Sequence, residues 1–290
     1  MSELEHYSHV IPSRRSIVDA EEAVRIRAIN EDIWVEYPLA AKILGHVKYM
    51  LQLPVKHQSP CLLVHSGGGM GKSALYQRIL SLYGFGRNSG ATLASMTIRA
   101  KHAAGHRIFS DDLIGAVTGN MYRNSRIDDE KLSAAIVSRD IRGVALDEVN
   151  DMLHANRSDL GRNMKLIKEL SGAPYYLIVI AIGTHECNEA INSDRQFARR
   201  FSRIELTPWR DEQVLRSFIA TYTMTFPLKS PSDVGKPAIV KYLVSESDGV
   251  LDTIVKMLCN AASWAVLEGR EEIDLDLIKK GREMPVARKD

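Results

Sequence analysis

The stretch from Cys61 to Ser73 reads CLLVHSGGGMGKS: an apolar run, a glycine-rich turn and then Lys-Ser. Residue types in that order suit the binding of a polyphosphate. Gly67, Gly68, Gly69 and Gly71 carry no β-carbon, so the backbone can take positive φ and turn successive N–H groups toward phosphate oxygens. Lys72 adds a mobile charge for the β- and γ-phosphates, and a helix beginning there offers free amides and the positive end of its dipole. Ser73 supplies a hydroxyl for Mg2+. Ser66 and Met70 complete the loop, and the pattern G-x-x-x-x-G-K-[ST] asks for glycine where Ser66 stands. A second polar group closes the apolar run Val144-Ala145-Leu146, namely Asp147 and Glu148. At the end of a buried parallel strand, Asp147 can hold a magnesium hydration shell. Glu148 can orient and deprotonate a water that attacks a phosphoryl group.

Three further groups of residues leave two readings each. The strand leading to Gly183 ends at Thr184, which either senses the γ-phosphate or caps the helix that follows. The segment 194–203 carries Arg195, Arg199, Arg200 and Arg203. Its arginines are either a solvated basic helix end or a source of charge for phosphoryl transfer in a neighbouring subunit. Arg99, Lys101, His102 and Arg107 surround the loop after the second strand, and Arg123 and Arg126 end the next helix. These cations form either a solvated face or, in stacked subunits, an inner surface for a nucleic-acid backbone.

The elements that must position these groups follow from periodicity. Strands are expected over 61–66, 92–98, 142–147, 175–182 and 203–206, and helices over 72–83, 111–122, 129–138 and 159–171. Such alternation argues for a parallel sheet covered by helices. After Thr207-Pro208 only helical periodicity remains, over 210–224, 237–247, 250–267 and 274–281, with Gly249 and Gly269 read as helix C-caps. Ahead of the core, about 20 polar and mixed residues read as an extended or mobile arm, followed by helical segments over 20–30 and 39–53. Three parts result: 1–55 as arm and lead-in helices, 56–208 as an α/β core, and 209–290 as an all-helical lid.

Composition sets bounds on this reading. With 290 residues, 45% of them hydrophobic, the chain can build ordinary cores. A net charge of +2 excludes no partner class. Cys61, Cys187 and Cys259 are odd in number and set in apolar context, which argues against a disulfide framework and for a reducing cytoplasm. The nine histidines show no zinc spacing. The sequence begins without a basic-then-apolar leader, and no run approaches about 18 apolar residues, so neither secretion nor a membrane span is expected.

With these pieces in place the chain resembles the AAA+ ATPases of transposition modules, the TniB family and its TnsC relatives, from about residue 25 to about residue 281. The resemblance is carried by INEDIWVEYPLAAKIL, LLVHSGGGMGKS, VALDE, IAIGTHE, FARRFSRIELTPW, FPLKSPS and SESDGVLDTIVKMLCNAASWAVLEGREEIDLDLI. It implies an AAA+ P-loop core with a C-terminal helical lid, and an ATP- and Mg2+-dependent bacterial regulator. Such a protein assembles on double-stranded DNA as a ring or helical filament, marks a target site and recruits a transposase, with a TniQ-type adaptor as a further partner. Hydrolysis would drive disassembly, slowly and under stimulation by assembly, DNA or transposase. Lys72 and Ser73 fall on Walker A, Asp147 and Glu148 on Walker B, Thr184 on sensor 1, and Arg199 or Arg200 on the arginine-finger region. The lid segment 247–256 has no arginine where many AAA+ proteins carry a second sensor. Two other classes compete. A replication-initiator or helicase-loader ATPase would normally add a separate DNA reader, for which no room is expected after residue 282. A small-molecule kinase would need neither this lid nor the Asp-Glu pair.

Overall fold

The computed structural model describes residues 7–55, 57–86, 92–120, 129–192, 195–210 and 212–286. Its contacts divide the chain into two compact units, Leu39–Thr207 and the pair of segments Met1–Pro38 and Pro208–Asp290. Residues 7–20 are not the extended arm expected from their polarity. Pro12–Ile17 winds into a 3-10 turn, Val10 and Val18 are fully buried, and the Ile11 amide donates to the Met224 carbonyl at 2.8 Å. Two apolar anchors at the right positions outweigh the polar residues around them. Helix α1, Glu22–Ile29, follows.

The α/β unit opens with α2, Pro38–Gln52, and then alternates β1 (Cys61–His65), α3 (Lys72–Tyr83), β2 (Thr92–Thr97), α4 (Ala100–Ala103), α5 (His106–Thr118), α6 (Asp129–Ser138), β3 (Ile141–Asp147), α7 (Arg157–Leu170), β4 (Ile178–Gly183), α8 (Glu186–Asn192), α9 (Arg195–Ala198) and β5 (Phe201–Glu205). The described strands form one parallel sheet in the order β2-β3-β4-β1-β5. Residue alternation along each strand sends Cys61, Leu63, Val144, Leu146, Val179 and Ala181 into one cluster with Phe109, Leu113, Ile167 and Leu170 of α5 and α7. Their neighbours Leu62, Val64, Ala145, Ile180 and Ile182 are buried as well. Strands buried on both faces must be continuously apolar, and this is why the runs were readable.

The expected helix over 111–122 starts earlier, at His106, and stops at Gly119, whose φ of 66° ends it in the left-handed region. A 3-10 turn, Val149–His154, and the short helices α8 and α9 had no periodic signal of their own.

The second unit is helical: α1 with α10 (Glu212–Thr223), α11 (Pro237–Ser247), α12 (Leu251–Glu268) and α13 (Leu275–Lys280). Helix α12 is buried along most of its length, and α1, α11 and α13 pack against it. Arg25, almost wholly buried, ties α1 to the far end of the sequence. Its Nη1 donates to Glu271 Oε1 at 2.8 Å, its Nη2 to Oε2, and its Nε to the Pro227 carbonyl at 3.0 Å. Burial works to raise the Glu271 carboxyl, but the hydrogen bonds from Arg25 and from the Lys229 amide outweigh it and leave it below the ordinary range. Tyr37, Trp209, Phe218, Tyr222 and Phe226 pack in series with ring centroids 4.9 to 5.7 Å apart, only Phe218 and Tyr222 being stacked and the last pair meeting edge to face.

Gly249 locks this aromatic series in place. Its φ is 75°, the Trp209 amide donates to its carbonyl at 2.9 Å, and a β-carbon there would lie 2.4 Å from the Trp209 carbonyl oxygen. Gly269, also left-handed at 69°, faces open space. Gly249→Ala is therefore expected to cost roughly 2–4 kcal/mol, strain plus clash, and Gly269→Ala only about 1–2 kcal/mol of strain. Denaturant unfolding of both variants checks this; equal losses would remove the contact with Trp209 from the explanation.

Candidate nucleotide site

Three adjacent strands deliver the candidate residues to one edge of the sheet. Because β3, β4 and β1 are parallel neighbours, their C-terminal ends emerge together: Leu146 is in register with Ala181, and His65 with Gly183. Ser66 follows β1 and Thr184 follows β4, while Asp147 ends β3 and Glu148 follows it. Neighbouring strands lie about 4.8 Å apart, so the outer two of the three groups are separated by roughly 10 Å, the reach of a bound triphosphate with its cation.

The loop itself is built by β1 and α3. Gly69 and Gly71 take φ of 69° and 84°, conformations a β-carbon would strain, while Gly67 and Gly68 lie exposed with open space around them. Met70 is buried and pins the turn from beneath. Ser66 does not need the glycine that the motif asks for, since its φ is not positive. Its side chain is fully buried and donates to the Gly67 carbonyl at 2.8 Å, and its amide donates to Gly183 at 3.2 Å. Lys72 Nζ folds back onto the loop, donating to the carbonyls of Gly67 at 2.7 Å and Ser66 at 3.3 Å and to Ser66 Oγ at 3.2 Å. Ser73 is exposed on the first turn of α3.

Asp147 is 6% exposed. Burial pushes its carboxyl above the ordinary range, against the hydrogen bond from the Glu148 amide at 3.0 Å and the charge of Lys72. Ionised, it is a desolvated charge in need of a cation, and carboxylate and hydroxyl oxygens such as those of Asp147 and Ser73 are the hard donors that could hold Mg2+. Among the described residues no cluster of three or more His, Cys, Asp or Glu could hold a metal by itself. Glu148 sits at φ 53°, ψ 44°, left-handed for a residue that has a β-carbon. Such conformations cost on the order of 1–3 kcal/mol and concentrate at functional sites. Nothing in the sequence announced it.

Thr184 Oγ1 donates to the Glu186 carboxylate. Beside it the rings of His65 and His185 meet, Nδ1 to Nδ1 at 3.2 Å, one donating and the other accepting. Burial, then the proximity of His185, hold His65 below its ordinary value. This pair links the strand under the loop to the turn after β4, and periodicity gave no hint of it.

The remaining candidates lie elsewhere. Arg199 and Arg200 precede β5, at the opposite edge of the sheet from the phosphate loop, where the Cys61 amide donates to the Arg200 carbonyl. Arg200 Nη1 is bound to Ser171 Oγ at 2.7 Å and the Lys168 carbonyl at 3.2 Å, both at the end of α7. Arg199 is exposed and makes no ion pair among the described residues. A cavity of about 720 Å³ at that same far edge is lined by Val55, His57, Gln58 and Tyr176. Lys101 pairs with Asp112 at 2.5 Å and Arg107 with Asp111 at 3.7 Å, while Arg99 is exposed. His102 does not join the basic surface: it is buried and turned to Asp112 at 2.9 Å, accepting from the Arg99 amide at its other nitrogen. Arg123 and Arg126 lie outside the described residues.

The fold is that of AAA+ ATPases. Among solved structures the chain is similar to the Aeropyrum pernix ORC2 protein in its ADPNP–ADP complexes, with TM-score 0.62 and 16% identity over 88% of this chain and 70% of that one. It is similar to the A. pernix ORC1 protein in complex with DNA, with TM-score 0.56 and 18% identity over 89% and 68%. It is also similar to Drosophila ORC bound to DNA, with TM-score 0.58 and 13% identity over 91% of this chain and 66% of that one. No curated protein sequence matches. No helix among the described residues is long and apolar enough to cross a membrane. At such identities the structural likeness speaks for the fold alone, whereas sequence kinship is carried by the family model for the bacterial TniB protein, which matches residues 25–211. That match spans more than half of the sequence and includes the glycine loop, the Asp-Glu pair and the arginines before β5, so the chain belongs to the TniB family.

Proposed function

We propose that this chain is an ATP-dependent regulator of DNA transposition. With ATP and Mg2+ it assembles on double-stranded DNA as a ring or filament, marks the insertion site and recruits the transposase, with a TniQ-type adaptor as a further partner. Hydrolysis, stimulated by assembly, DNA or transposase, drives disassembly. The observation that carries this reading is the convergence of the loop 66–73, Asp147 with Glu148, and Thr184 at one sheet edge in a chain of the TniB family. Likeness to ORC alone would equally suit a replication initiator; the family match favours transposition.

The roles follow from position. Lys72 binds the β- and γ-phosphates, Ser73 and Asp147 hold the cation, Glu148 orients and deprotonates the attacking water, and Thr184 touches the γ-phosphate. Bound Mg2+ would neutralise charge on the phosphate oxygens. Arg199, exposed at the edge remote from its own loop, is the arginine offered to a neighbouring subunit, since the Arg200 guanidinium is already committed to the end of α7. The helical part 209–290 serves as the lid. DNA is held through its backbone by Arg99 and its equivalents in repeated subunits, with Lys101 and Arg107 partly neutralised by their aspartates. That two ORC chains of like fold are bound to DNA is in keeping with this, and the site of action is the bacterial cytoplasm.

Electron microscopy of the protein with duplex DNA and a non-hydrolysable ATP analogue tests the proposal. A ring or filament on DNA is expected, and dispersed monomers would count decisively against it. Arg199→Ala should leave nucleotide binding by the monomer intact and lower hydrolysis in the assembly on the order of 10³-fold. Arg200→Ala should instead act on stability. If the two outcomes are exchanged, the assignment of the arginines is reversed.

A further inference from the structure

We propose that Glu186 is an internal competitor of the γ-phosphate: its carboxylate takes the one hydroxyl proton of Thr184, so a triphosphate must displace it and a diphosphate need not. The inference rests on the reading of the site given above and adds to it a residue that sets the preference between ATP and ADP.

A threonine hydroxyl has a single proton to donate. Here Thr184 spends it on Glu186, so the same hydroxyl cannot at that moment donate to a phosphate oxygen. The competition is placed where the γ-phosphate would arrive. Thr184 follows Gly183, which is in register with His65 and accepts from the Ser66 amide at the entrance to the loop. The charged groups around the Glu186 carboxylate are those a phosphate would also meet. Hydrogen bonding from Thr184 first and then from its own backbone amide, with smaller contributions from His185 and Lys72, holds its carboxyl below the ordinary range. Glu186 thus stands in for an anion while no nucleotide is bound, and an incoming γ-phosphate meets both an occupied hydroxyl and a like charge. On the reading given above, a β-phosphate would be held by the glycine amides and Lys72 and would make no demand on the Thr184 hydroxyl. The side chain is exposed and belongs to the first turn of a short helix, so it can swing toward water without disturbing the core. The His65–His185 contact holds the backbone of that turn in place as it does so.

A purely local role, steadying the start of α8, predicts something different: an effect on stability that is blind to the number of phosphates. The test is therefore a ratio. Equilibrium binding of a fluorescent non-hydrolysable ATP analogue and of the matching ADP is measured for the wild type and Glu186→Gln at low ionic strength. The substitution is expected to tighten the ATP analogue about 3- to 10-fold, as loss of one charge-assisted competitor implies, and to leave ADP unchanged. In a Thr184→Val background the same substitution should lose most of this gain, because the shared proton is gone. Equal shifts for the two nucleotides, or no shift with a change in melting temperature alone, would overturn the proposal while leaving the site assignment standing. Failure of the wild-type protein to take up either nucleotide would overturn both.

Discussion

Lys72→Ala is expected to lower affinity for adenine nucleotide by about 10²- to 10⁴-fold and to abolish ATP-dependent assembly on duplex DNA. The figure follows from removing two charge-assisted hydrogen bonds to phosphate, each worth roughly 1.5–3 kcal/mol. The fold should survive. Lys72 reaches only acceptors of its own loop, and with it gone Ser66 still donates to the Gly67 carbonyl and still binds Gly183 through its amide. Calorimetry of nucleotide uptake, paired with a melting curve that shows the variant intact, decides the matter. Retained ATP-driven assembly would remove Lys72 from the site.

Glu148→Gln separates holding the nucleotide from breaking it. The amide keeps the shape and the left-handed backbone, which is no harder for glutamine than for glutamate, and the Asp147 carboxylate is untouched. What is lost is the base that takes a proton from water, a contribution of about 10²- to 10⁴-fold in rate. Single-turnover hydrolysis should fall by that factor while ATP binding holds, and complexes on DNA should dissociate correspondingly later. Unchanged turnover would move the base to another residue.

What could be read from the sequence was what periodicity and composition encode. Strands β1, β3 and β4 are buried on both faces and so are unbroken apolar runs, and the glycine bend and the Asp-Glu pair stand at their ends in plain order. The α/β class with a parallel sheet followed from these, while the AAA+ core and lid came from the family resemblance. The features that escaped are set by contacts between residues distant in sequence or by backbone angles. The left-handed Glu148 is a backbone angle, and the facing rings of His65 and His185 meet only when β1 and β4 lie side by side; the Thr184–Glu186 bond is local, but residue type alone does not give a side chain's direction. Residues 7–20 were misread because two buried valines count for more than the polar residues between them. His102 was taken for part of a basic face because sequence gives type and not direction, and Asp112 and the Arg99 amide draw it inward. The bond from Arg200 to Ser171 at the end of α7, on which the proposed role of Arg199 rests, was likewise invisible in the sequence.

The unit that joins Met1–Pro38 to Pro208–Asp290 is discontinuous, with Arg25 and Glu271 as partners 246 residues apart. On the ribosome the α/β unit is complete once Thr207 has cleared the exit tunnel, but α1 emerges long before the helices it packs against. At about 5–20 residues per second it waits roughly 10 to 50 seconds with the guanidinium of Arg25 still unmatched. A nascent chain interrupted in that interval would carry a finished phosphate loop and an orphaned leading helix, the form that chaperones and proteases would meet first.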